Sequence, residues 1–80
     1  MPRDSLTYDE IDAIFEGLCA YQQKRVLDHG RRLNPRVTAD DIMNPIDIPE
    51  LDASPSWNYE DGLLAGYRAA QAALRAALQK

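Results

Sequence analysis

The chain has 80 residues, 13 acidic against 9 basic side chains for a formal net charge of −4, and 45% hydrophobic but only 8% aromatic residues. A chain this short has interior for one core only, so a single domain over residues 1–80 is expected, and it should be marginally stable because such domains bury only about 60% of the surface their unfolded chains expose. The single Cys19 excludes an internal disulfide and a cysteine zinc site within one copy.

No apolar run approaches the ~18 residues of a membrane span, and Met1-Pro2-Arg3-Asp4-Ser5 lacks the apolar stretch of a secretory signal. These features predict a cytoplasmic protein with no membrane partner. The charge is segregated: residues 38–62 hold Asp40, Asp41, Asp47, Glu50, Asp52, Glu60 and Asp61 with no Lys or Arg. Such a block is a solvated surface or a face that meets a basic element.

The first helix is expected over about residues 8–33. Thr7 and Glu10 have capping-box spacing, Leu6 and Ile11 sit at the positions of a hydrophobic staple, and Ile11, Ile14, Phe15, Leu18, Val26 and Leu33 recur at helical spacing. Pro35 forces a stop by Asn34. Continuation past Gly30 is expected, because an ending there would place Arg31 where an apolar contact residue is usual.

The connection, about residues 34–57, carries Pro35, Pro45, Pro49 and Pro55, which excludes a long helix. It also carries Val37, Ile42, Met43, Ile46, Ile48 and Leu51, too many large apolar groups for a flexible linker, so it should be ordered and wrapped across the helices. Within it Thr38 and Asp41 repeat the capping arrangement and predict a short turn near residues 39–43.

The second helix is expected over about 59–79, with Asn58 as N-cap and Glu60 and Asp61 in its first turn. It has an arc of large groups (Leu63, Tyr67, Leu74, Leu78) beside an arc of small ones (Gly62, Gly66, Ala69, Ala70, Ala73, Ala77). The width of this apolar face implies two neighbours, one approaching closely over the small arc. Both helices are acidic at their starts and basic toward their ends, which favours an antiparallel arrangement.

The fold class predicted is therefore all-α: an antiparallel two-helix hairpin with a long, ordered, proline-bearing crossover, its core completed by pairing of two copies into a four-helix bundle.

For function, no motif for nucleotide, flavin or phosphate binding occurs, and a lone His29 beside Asp28 lacks the nucleophile or open metal position that hydrolytic chemistry needs. The acidic run from Asp52 lacks the glycine and glutamate of a calcium loop. Gly62 and Gly66 copy a membrane dimer motif in a stretch too polar for lipid. The basic cluster Lys24, Arg25, Arg31, Arg32 and Arg36 would have to outweigh an acidic chain to hold nucleic acid. Cys19, at the edge of the apolar face, reads as a small core hydrophobe.

We therefore expect no catalysis, no metal and no cofactor, and a non-enzymatic interaction module or accessory subunit, paired with another protein or with itself. Its docking surface is expected between Ile46 and Tyr59, with Ile48, Leu51 and Trp57 as apolar anchors inside an acidic rim that includes Asp47 and Glu50. By sign of charge alone, that acidic block could also stand in for a phosphate backbone in a basic groove.

The second expectation starts from Gln22, Arg25 and His29, which interrupt the apolar face of the first helix and need partners. Arg25 pairing with Glu60 or Asp61, and His29 bonding to the connection, would satisfy them structurally. Otherwise, with Tyr59 and Trp57 beside them, they would line a shallow site for an anion or small molecule.

Overall fold

In a computed structural model, residues 5–44 and 47–78 are described, which leaves Pro45, Ile46, Gln79, Lys80 and the first four residues outside the description. The order is α1 (Tyr8–Leu33), α2 (Ala39–Ile42), α3 (Pro49–Asp52) and α4 (Pro55–Leu78), with no strand among the described residues. The long helices α1 and α4 pack against each other.

Their sense is antiparallel, because Arg75 near the end of α4 meets Asp12 near the start of α1, and Trp57 at the start of α4 meets Val26. Helix α1 opens as the capping box requires: the Glu10 backbone N–H donates to Thr7 Oγ1 at 3.2 Å and the Thr7 N–H to Glu10 Oε1 at 3.1 Å. It runs through Gly30 to Leu33, and Asn34 closes it by donating its N–H to the Gly30 carbonyl at 2.8 Å. A second capping box, Thr38 with Asp41, starts α2.

Two elements differ from the sequence reading. α3 is an additional helical turn begun by Pro49, and α4 starts at Pro55, so Asn58 lies inside its first turn and is not the cap. The reason is the same in both: proline at the first helical position loses an N–H that would lack a partner anyway. Ser54 takes the capping role, its Oγ accepting the Trp57 N–H at 3.2 Å. Asn58 instead donates its amide to the carbonyls of Leu51, Asp52 and Ser54, which fastens α3 to α4.

The core forms where α1, the connection and α4 converge, from Cys19, Val26, Val37, Ile42, Leu51, Trp57 and Leu64. Gly30 permits this convergence. A Cβ there would lie 3.3 Å from Trp57 Nε1 and 3.5 Å from side-chain carbons of Leu51 and Val37. The small arc of α4 plays no such part within the chain, because nothing lies within 4 Å of a Cβ built on Gly62 or Gly66.

The faces turned inward coincide only in part with the apolar arcs that periodicity picks out. On α1 the buried residues are Cys19, Gln22, Val26 and Gly30, while Ile14 and Leu18 are exposed and Ile11 and Phe15 half-buried. On α4 they are Trp57, Leu64 and Gln71, with Leu63, Tyr67 and Leu74 half-buried and Leu78 exposed.

Candidate functional site

Polar bonds across α1 and α4 mark the two sides of the hairpin. On one side, the buried Gln22 donates its amide to the Glu60 carbonyl at 2.9 Å and to Glu60 Oε2 at 2.6 Å, and Arg25 Nη2 reaches Glu60 Oε1 at 2.9 Å. On the other side, Arg68 Nη2 donates to Gln23 Oε1 at 3.1 Å. α2 covers this second side: Ala39, Ile42 and Met43 border a cavity of about 380 Å³ together with Gln23, Leu64 and Arg68.

Among the described residues the first side has no such cover. Helical periodicity places Ile11, Phe15 and Leu18 in line with Gln22 and Arg25, with Ile14 and Tyr21 beside them. On α4 it places Leu63, Tyr67, Leu74 and Leu78 in line with Glu60. The two stripes run side by side as one apolar face, on which Ile14 is 53%, Leu18 40% and Tyr21 61% exposed. The arcs most periodic in the sequence thus meet on the uncovered side.

The predicted docking surface is corrected in its anchors. Leu51 and Trp57 are both 0% exposed, packed in the core, and Trp57 Nε1 donates to the Val26 carbonyl at 3.1 Å. Interior side chains cannot anchor a partner on the surface. Ile48 is half-buried against the same core, Asp47 and Glu50 are exposed, and Ile46 lies outside the described residues. An apolar residue in a proline-rich connection resembles an exposed anchor in sequence; only the convergence at Gly30 reveals it as core.

Of the second group, Gln22, Arg25 and His29 come together and Tyr59 stands apart. Arg25, Asp28, His29, Arg32 and Glu60 border a surface cleft of about 340 Å³. His29 Nε2 lies 3.4 Å from Ser56 Oγ, and Arg25 also approaches the Tyr21 ring at 5.8 Å. Glu60 answers both Gln22 and Arg25: hydrogen bonds from the Arg25 guanidinium and then the Gln22 amide hold its carboxyl down at about 2. Arg25 is correspondingly raised. The trio is thereby satisfied within the chain. Tyr59, 67% exposed, does not border the cleft.

The far end of the hairpin holds a second polar clamp that the sequence reading missed. Gln71, buried, donates to Glu16 Oε1 at 2.8 Å and Asp12 Oδ1 at 3.4 Å, and Arg75 reaches Asp12 at 2.7 Å and Glu16 at 2.7 Å. The Arg75 hydrogen bond holds the Asp12 carboxyl below its usual range. Cys19 Sγ lies 3.8 Å from Gln71 Oε1 inside the core. The signal in the sequence was a glutamine and an arginine four residues apart on α4, facing two carboxylates four apart on α1.

Among the described residues no group of three or more His, Cys, Asp or Glu is placed to hold a metal ion, and no helix is long and apolar enough to cross a membrane. No family model, curated protein or solved structure matches the chain.

Proposed function

We propose that the chain is a non-enzymatic helical interaction module, and that it docks through the uncovered α1–α4 face. The observation that supports this is the exposure of Ile14, Leu18 and Tyr21 on α1 beside the half-buried Leu63, Tyr67 and Leu74 on α4. Contiguous apolar surface of this kind is unfavourable in water and marks a site of association. An amphipathic helix pair with one side covered by its own crossover can take a further helix or helix pair on the other side, through side chains at helical spacing.

The polar residues support the same reading. Gln22, Arg25 and Glu60 satisfy one another at one end of the hairpin, on the side of this face, and Gln71, Arg75, Asp12 and Glu16 do so at the other end, toward the opposite side. These clamps fix the relative register of α1 and α4, so the apolar stripes are presented on a framework of set geometry. The acidic connection then faces outward on the covered side.

The experiment is site-specific photocrosslinking in the cells that make the protein, with a photoreactive aromatic residue replacing Tyr21 in one variant and Met43 in another. The reading expects a covalent adduct from position 21 and a much weaker one from position 43. Absence of any adduct at position 21 would contradict it.

A further inference from the structure

We propose that the occupant of the uncovered α1–α4 face is a second copy of this chain, two hairpins closing face to face into a four-helix bundle. This rests on the reading of that face as an interaction surface and adds what covers it.

The first support is area. A compact folded protein of 9.0 kDa exposes about 4,900 Å² by the usual scaling with mass. This chain exposes 5869 Å². An elongated chain with this much surface can give up the ~800 Å² that each partner contributes to a standard interface. Shape agrees: the radius of gyration is 15.6 Å and the extents are 48 × 28 × 19 Å, against about 12 Å for a compact domain of this length. The chain has the proportions of half a bundle.

The second support is charge. A self-pairing face must not set like charges against each other, and here Arg25 and Glu60, in line with the stripes, neutralise one another at 2.9 Å, while Asp28 and Arg32 beside them on the same cleft carry opposite charges. The acidic Asp40 and Asp41 belong to α2, on the covered side. Along α1, on the side of Ile14 and Tyr21, Glu10 occupies the first turn and Arg32 the last. A copy of α1 laid antiparallel therefore brings opposite charges into proximity at both ends.

A two-fold pair uses the same face on both copies, since a patch that meets its own copy is used twice.

The test uses the purified 80-residue chain, with Cys19 kept reduced. Light scattering behind size exclusion over a hundredfold range of concentration should give twice the 9.0 kDa chain mass at the upper end. Photocrosslinking of the same preparation should give a covalent dimer from position 21 and not from position 43. A mass of 9.0 kDa at every concentration overturns the second copy, as does a dimer that crosslinks through position 43 and not 21. The interaction reading fails separately, if position 21 also yields no adduct in cells; an adduct there to a different chain would leave that reading standing without the second copy.

Discussion

Trp57 Nε1 donates to the Val26 carbonyl at 3.1 Å, joining the first turns of α4 to the middle of α1 while the indole fills the core. Replacing it tests whether this residue is structural. Trp57→Ala removes one of the largest buried side chains and should cost about 3–5 kcal/mol, a large share of the stability of a domain this size. Trp57→Phe retains much of the volume but loses the donor, with a hydrogen-bond loss of about 1 kcal/mol. Urea denaturation followed by far-ultraviolet circular dichroism checks both. A fully folded, unshifted Trp57→Ala would contradict the core assignment.

The glycines make a prediction of opposite signs. In α4, Gly62→Ala adds a methyl into open space and should stabilise by up to about 1 kcal/mol through helix propensity. In α1, Gly30→Ala sets a methyl 3.3 Å from Trp57 Nε1, and the bond to Val26 holds the indole in place. We expect a lower thermal midpoint for Gly30→Ala and a higher one for Gly62→Ala, measured by thermal melts at one protein concentration.

Two leucines separate core from surface. Leu51→Ala, at a side chain 0% exposed, should cost about 2–5 kcal/mol. Leu18→Ala, 40% exposed, should cost less than about 1 kcal/mol in dilute solution, where only contacts within the chain are lost. Equal losses for the two variants at low concentration would mean that the α1–α4 face belongs to the core of the single chain.

The pH dependence follows from Glu60, whose carboxyl is held at about 2 against an ordinary 4.5, first by Arg25 and then by Gln22. A folded-state value below the unfolded one gives stability that is fully present above about pH 4.5 and lost as pH falls toward 2. Asp12, lowered by Arg75, adds in the same direction. Asp61, raised by burial, acts in the opposite one. Glu60→Gln should flatten the loss of stability between pH 4.5 and 2 relative to the natural chain, read from denaturation midpoints across that range. An unchanged acid limb would count against the pair.

Much of this architecture was legible in the residues. Thr7 with Glu10 and Thr38 with Asp41 announce two helix starts because capping needs a hydroxyl and a carboxylate at fixed spacing. Pairing of Arg25 with Glu60 follows from the need of a polar residue on an apolar face for a partner. What misled were the prolines: Pro49 and Pro55 look like helix breakers, yet each begins a helix. Leu64, buried in the core, lies beside the large-residue arc of Leu63, Tyr67, Leu74 and Leu78 and not on it, so periodicity does not mark it as core. Periodicity shows which face is apolar, not whether the chain's own elements or another molecule cover it. Leu51 and Trp57 could be ranked as core only once three segments were seen to converge at Gly30.

Hydroxyl-radical footprinting of the purified chain as a function of concentration tests the central claim most directly, since it reports solvent access residue by residue. Ile14, Leu18 and Tyr21 should become protected as concentration rises, while Met43, 77% exposed on the covered side, keeps its reactivity. If Ile14, Leu18 and Tyr21 stay equally reactive from the lowest to the highest concentration, the α1–α4 face does not pair with its own copy.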